Sequence, residues 1–194
     1  MFIGLETLSK KTFKDIRKSI FDPEEMPGLL RKIQKRGILI RASVMFGFDE
    51  DEKDVFENTI NFLIQNKITY TDFNVLTLLP STQILNQLEK ENRIFDRDWS
   101  KYDFKNVVFH PKRMSKEELE EGFWKAAKRF YSFPIICRRN FLVKNTQLIK
   151  MTSIFYQIFI IDQLLGKKAY NGGELTEYHE NQRYLKIHMI FCIS

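Results

Sequence analysis

Three apolar runs in this sequence each end at a polar or glycine-bearing turn: Gly4-Leu5-Glu6-Thr7, Gly47-Phe48-Asp49-Glu50 and Thr77-Leu78-Leu79-Pro80-Ser81-Thr82. A carboxylate just after a buried strand is costly unless it is paired or faces a ligand cavity. Glu6 is therefore either an acceptor for a ligand hydroxyl or amine, or a cap for the helix that follows. Gly47 is either a plain turn glycine or a point where backbone meets a flat ligand. The acids Asp49, Glu50, Asp51 and Glu52 complement the positive end of the next helix. Together they would repel a phosphate there. His110 lies beside Pro111, and His179, His188 and Cys192 fall in the tail. This set is too sparse for the three or four convergent ligands of a metal site, and no metal ligand is assigned. The sequence has no phosphate loop, nucleophile elbow or dinucleotide fingerprint.

The elements that must position these turns follow from pattern. "MFIGLE" reads as a short buried strand, and Ser9 caps a helical stretch, "KKTFKDIRKSIF". A second helix is predicted over "DPEEMPGLLRKIQKRG". Asp22 stands at its N-cap, Pro23 at its first position, and basic residues with Gly37 at its end. "ILIRASVMF" is a second strand, apolar on both faces apart from Arg41 and Ser43, as parallel strands tend to be. A helix is predicted from about Asp51 to Asn66, with Val55, Phe56, Ile60 and Leu63 on its apolar stripe. "YTDFNVLTLL" is a third strand, and Thr82 caps a helix through about Glu91. Strands separated by helical crossovers predict a right-handed parallel α/β sheet, whose carboxyl ends share one face where sites are built.

After residue 92 the pattern changes to an aromatic-rich loop, with a short strand near Val107 to Phe109. "SKEELEEGFWKAAKRFY" is a strong helix, with Ser115 and Glu118 as a capping box. Leu119, Phe123, Ala126, Ala127 and Phe130 share one of its faces. Pro134 ends it. One or two further helices reach about Leu165, and the tail from Gly166 has weak periodicity.

Composition bounds the function. The chain has 194 residues, 43% hydrophobic and 29% charged, with 18 Phe, as for a globular protein with a bulky core. Its net charge of +6 and pI near 9.2 raise the question of an anionic partner. Lysines and arginines alternate with acids, however, so nucleic acid is not expected and a basic binding module is the weakest reading. Two cysteines, Cys137 and Cys192, are too few for a disulfide scaffold and point to a reducing, cytoplasmic setting. No signal-peptide pattern is visible. The apolar run "MTSIFYQIFII" holds 11 residues, too short to span a bilayer; membrane-surface contact is a minority reading.

Four stretches carry a resemblance: "FIGLETLSKKTFKDI", "VMFGFDEDEKDVFENTINF", "NVLTLLPSTQILNQLEKENRI" and "DWSKYDFKNVVFHPKRMSKEELEEGF". In order and spacing they resemble radical S-adenosylmethionine enzymes, closest to the branch with a cobalamin-binding domain. The resemblance covers residues 1–133. It implies the fourth, fifth and sixth βα units of a TIM-like barrel over 1–91, a C-terminal extension over 92–133, and a helical segment with a loose tail over 134–194. It implies S-adenosylmethionine contacts at Glu6, on the ribose or methionine side, and beside adenine at the fifth strand. There the family's Gly-x-Ile-x-Gly-x-x-Glu reads Ser43-x-Met45-x-Gly47-x-x-Glu50. Glu6, Met45, Gly47, Glu50 and Thr77 are the cofactor-binding expectation. The sixth strand's Pro-Gly-Thr-Pro turn reads Pro80-Ser81-Thr82-Gln83.

The family holds a 4Fe-4S cluster through a cysteine triplet after its first strand, and this sequence has no such triplet. The resemblance thus implies half a barrel that shapes part of a cofactor pocket but has no ligands for cluster or cobalamin, no catalytic residue, and no activity alone. Two roles follow. One is a C-terminal portion of a radical enzyme acting on a small-molecule substrate. The other is a non-catalytic subunit that completes a barrel with a separate N-terminal polypeptide.

Overall fold

The computed structural model describes residues 1–9, 12, 25–142 and 157. The helix expected over "KKTFKDIRKSIF", the Asp22-Pro23 helix start, and the tail with His179, His188 and Cys192 lie outside them.

Three strands, β1 (Phe2–Glu6), β2 (Arg41–Phe46) and β3 (Tyr70–Val75), form one all-parallel sheet in the order β1-β2-β3. Helix α1 (Met26–Gln34) links β1 to β2, and α2 (Val55–Gln65) links β2 to β3. Helix α3 (Gln83–Lys90) follows, then a single 3-10 turn at Trp99–Lys101, α4 (Lys116–Phe130) and α5 (Phe133–Leu142). The α/β architecture with a parallel sheet is as the pattern predicts. The expected strand near Phe109 is a lone antiparallel bridge to Ile94.

The hydrophobic core lies on one face of the sheet. Ala42, Val44, Phe46, Phe73 and Val75 are buried there with Leu30, Ile60, Leu63, Phe123 and Phe130. Phe46 tilts against Phe56 of α2 at 4.8 Å, and Phe73 meets Phe130 of α4 edge-on at 5.5 Å, geometries that aromatic quadrupoles favour. Helix α4 forms where its sequence says. Ser115 accepts from the Glu118 N–H at 3.1 Å, and Glu118 accepts from the Ser115 N–H at 2.8 Å. All five residues of its predicted apolar face are buried. Pro134 falls in the first turn of α5, where its missing N–H costs nothing.

Two expectations change. The second strand, expected to be apolar on both faces apart from Arg41 and Ser43, is covered on one face only: burial alternates along β2 and β3, leaving Arg41, Ser43, Met45, Tyr70, Asp72 and Asn74 less covered than their neighbours. The reason is that the helices described all pack on the other face. β1 is likewise not a buried strand. Leu5 alone in it is buried, and Phe2 is 62% exposed, because β1 is an edge.

The opposite edge is covered. Val75 N–H donates to the Phe104 carbonyl at 2.7 Å. Tyr131, just past α4, accepts from the Thr71 N–H at 3.0 Å and donates to the Thr71 carbonyl at 2.7 Å. The extension thus satisfies outer backbone groups at both ends of β3, those of Thr71 and the Val75 N–H, that a bare edge would expose.

Candidate site at the carboxyl ends of the strands

The less covered sheet face carries a polar ladder in register. Gly4 aligns with Ser43 and Ser43 with Asp72, and Met45 aligns with Asn74. Arg41 grips Asp72 through Nε and Nη2, both at 2.8 Å, a two-point fork. The Asn74 amide donates to Ser43 Oγ at 3.1 Å and to the Val44 carbonyl at 3.2 Å. Hydroxyl, amide, carboxylate and thioether groups therefore share one surface, a donor set that suits a polar small molecule better than a packed core.

Of the residues singled out from sequence, Glu6 and Met45 border this face. Glu6 ends β1 in a left-handed conformation, φ 58°, where the β1–β2 register shifts. Bulges at strand ends re-aim side chains. Met45 is half-buried at the penultimate position of β2.

Gly47, Glu50 and Thr77 are engaged by the rest of the chain. Gly47 has φ 105°, and a β-carbon there would stand 3.0 Å from Leu119 Cδ2 and 3.2 Å from Phe109 Cζ. Packing of the extension is by itself a sufficient reason for glycine. Glu50 pairs with Arg113 Nη2 at 2.6 Å. Thr77 is buried; its hydroxyl donates to the Val75 carbonyl at 3.1 Å and accepts from the Phe104 N–H at 3.1 Å.

The four acids after Gly47 do more than face a helix start. Asp49 meets Arg93 at 2.8 Å and Lys112 at 2.7 Å, and Glu52 joins Glu50 on Arg113 at 2.8 Å. Burial alone would raise the Asp49 pKa, but the bonds from Arg93 and Lys112 outweigh it and hold the carboxyl below its ordinary value. The basic residues all come from the loop before α4, so the acids dock the extension onto the sheet. Asp51 turns inward instead. One of its oxygens accepts from the Gly47 and Phe48 N–H groups at 2.9 and 3.0 Å, and the other from the Thr12 hydroxyl at 3.3 Å. This inward turn is why α2 begins at Val55 rather than at Asp51.

Burial pushes the Asp51 pKa from 3.8 up to about 6, against the pull of those hydrogen bonds. The folded carboxyl therefore holds its proton more tightly than the unfolded one. Its contribution to stability is full below pH 3.8 and is lost as the pH rises to about 6. Asp51→Asn is expected to remove this dependence. Unfolding free energies of wild type and variant from urea titrations should diverge across that window by up to about 3 kcal/mol in favour of the variant and then run parallel.

The cluster chemistry does not fit the cysteines present. Cys137 is half-buried in α5, Cys192 lies outside the described residues, and two thiols fall short of the thiolate set that holds a four-iron cluster. Among the described residues no group of three or more His, Cys, Asp or Glu is placed to hold a metal ion. Among the same residues no helix is long and apolar enough to cross a membrane.

A bacteriochlorophyllide d C-12(1)-methyltransferase of Chlorobaculum tepidum is 32% identical over 139 residues, 72% of this chain and 30% of that protein. The chain is similar to one stretch of a bacteriochlorophyllide methyltransferase. An uncharacterized methyltransferase of Pyrococcus horikoshii is 24% identical over 162 residues, 81% of this chain and 35% of its own length. The anaerobic magnesium-protoporphyrin IX monomethyl ester cyclase of Cereibacter sphaeroides is 23% identical over 129 residues, 64% of this chain and 21% of its own. The chain thus spans about a third or less of the curated relatives it matches. No family model matches it.

Sequence reasoning missed the polar ladder, Asp51, Phe104 and Tyr131. The ladder had a signal. In "RASVMF" and "YTDFNV" every second residue is larger or more polar than a buried parallel strand needs, a period of two that marks one less covered face. Tyr131 and Phe104 had none, since each bonds a residue more than 25 positions away.

Proposed function

We propose that these 194 residues are the C-terminal part of a radical S-adenosylmethionine enzyme of the cobalamin-associated branch, acting on a large ring substrate of the tetrapyrrole kind. The polar ladder of Ser43, Asp72 and Asn74 carries the reading. It lies on the sheet face that the described helices leave clear, beside the strand ends where parallel α/β barrels build their sites. The relatives support the reaction class: methyltransferases and a cyclase, two of them named for tetrapyrroles. S-adenosylmethionine would meet Glu6 and Met45 on this face. Gly47, Glu50 and Thr77 would shape it from behind by fixing the extension. The bound cofactor would supply a radical once reduced by a 4Fe-4S cluster, and the ligands for that cluster are not among these residues. The chain alone is therefore expected to be inactive. After anaerobic reconstitution with iron and sulfide it should hold well under one cluster per chain and release no methionine from S-adenosylmethionine. One four-iron cluster per chain with cofactor cleavage would defeat this reading.

A second reading rests on β1. It is an edge strand, with Met1 and Phe2 each 62% exposed, whereas the β3 edge is covered. A separate cysteine-bearing polypeptide supplying further strands would add at β1. Co-expression with such a polypeptide should give a complex of defined stoichiometry that Gly4→Pro weakens, since proline blocks strand pairing. Separate elution of the two on gel filtration would dismiss this reading.

A further inference from the structure

The pairing of β1 with β2 carries one irregularity, and a side chain of β3 holds the β2 side of it. Gly4 aligns with Ser43 and Glu6 with Val44, so Leu5 is the extra residue of a bulge. Bulges are rare between parallel strands, and where they occur they re-aim a side chain. Here the re-aimed residue is Glu6, whose φ of 58° is left-handed. A residue other than glycine keeps such a backbone only where its surroundings over-determine it. The two β2 residues opposite the bulge are fixed from β3. The Asn74 amide nitrogen donates to Ser43 Oγ at 3.1 Å, to the Val44 carbonyl at 3.2 Å and to the Asp72 carbonyl at 3.4 Å. Acceptors on all these sides of one nitrogen decide which way the amide turns. Ser43 stands where the Gly-x-Ile-x-Gly-x-x-Glu pattern has its first glycine, and glycine would offer the amide no side-chain oxygen.

We propose that Asn74 is a positioning residue: it braces β2 opposite the bulge and so keeps Glu6 aimed at S-adenosylmethionine. The inference rests on the cofactor contact proposed above for Glu6 and adds the residue that holds that contact in place. The effect passes through the β2 backbone, from the Val44 carbonyl and the Ser43 side chain to the strand they pair with. A contact group whose geometry is fixed by bonded neighbours loses little freedom when its ligand arrives.

The test follows the isotope-labelled 194-residue chain by NMR while S-adenosylmethionine is added. Before the ligand enters, the backbone shifts of Glu6 report its left-handed conformation; the titration then gives the affinity. Asn74→Leu keeps the shape of the side chain and removes the amide. The expected result is Glu6 moved away from its left-handed signature and affinity lowered about tenfold, the worth of one hydrogen bond to a charged group. Ser43→Gly should move Glu6 in the same direction by less, because the Val44 bond remains, and it carries the test if Asn74→Leu does not fold. Glu6→Gln sets the loss from the carboxylate itself with the backbone kept. Because Asn74 acts through Glu6, the Glu6→Gln/Asn74→Leu double variant should bind no more weakly than Glu6→Gln alone. Losses that add overturn the positioning role. So do Glu6 signals that stay at wild-type values in both Asn74→Leu and Ser43→Gly, or a wild-type affinity in Asn74→Leu. Each of these leaves the cofactor reading standing. If the ligand moves no signal of Glu6 or Met45 in the wild type, the cofactor reading falls and the proposal falls with it.

Discussion

Gly47→Ala is expected to destabilise the chain by roughly 4 kcal/mol, the sum of two separable penalties. A φ of 105° lies beyond the region an alanine adopts easily, at roughly 1–3 kcal/mol. The new β-carbon would also press on Leu119 Cδ2 at 3.0 Å and Phe109 Cζ at 3.2 Å, and overpacking of this kind costs roughly 1–3 kcal/mol. Both contacts belong to the extension, so the strain would fall on the joint between sheet and α4. Gly28→Ala is the control. Gly28 lies in α1 with nothing within 4 Å of a β-carbon, and alanine there should stabilise by about 0.5–1 kcal/mol. Urea midpoints of the two variants should move in opposite directions. Pairing Gly47→Ala with Leu119→Ala isolates the closer contact, since it relieves Leu119 and leaves the Phe109 contact and the backbone penalty. A Gly47→Ala midpoint within error of wild type would show that the turn relaxes, and that the extension is not seated on it.

What the sequence revealed was local. The capping box at Ser115 and Glu118, and the face of Leu119, Phe123, Ala126, Ala127 and Phe130, depend on neighbours three and four residues apart, and the structure reproduces each. The parallel order of the strands followed from helices too long for hairpins, a topological rule that needs no contact information. The strand ends were legible in position but not in partnership. The strand ends at Glu6, Gly47 and Thr77 could be named from where apolar runs stop. That Thr77 would hold Phe104, or that Asp49 and Glu50 would hold Arg93, Lys112 and Arg113, depends on a loop folding back across dozens of residues. Charge pattern alone describes those acids as helix-dipole partners. The inward turn of Asp51 escaped for the same reason, because a carboxylate at a helix start looks alike whether it faces water or caps the strand before it.

The same folding-back covers one of the two sheet edges, and Tyr131→Phe tests that cover. The Tyr131 hydroxyl serves both outer backbone groups of Thr71, accepting at 3.0 Å and donating at 2.7 Å. Burial pushes its pKa well above the ordinary value for tyrosine, so it stays a neutral hydroxyl able to do both at once. Phenylalanine keeps the ring, including its edge-on contact with Phe73 at 6.2 Å, and removes only the oxygen. A buried N–H and a buried carbonyl would then lose their partner, at about 1–3 kcal/mol each where water cannot replace it. The expected loss is roughly 3 kcal/mol, with amide exchange at Thr71 accelerated more than at Ala42 in β2. Tyr102→Phe is the comparison. Its hydroxyl donates to the Asp96 carbonyl at 2.9 Å in a partly exposed loop, and about 1 kcal/mol or less is expected there. If the two variants lose equal stability, Tyr131 is an ordinary hydrogen bond rather than an edge cover. If Tyr131→Phe loses far more and gains a tendency to associate, the extension is what keeps β3 from pairing. Growth of the sheet is then confined to β1.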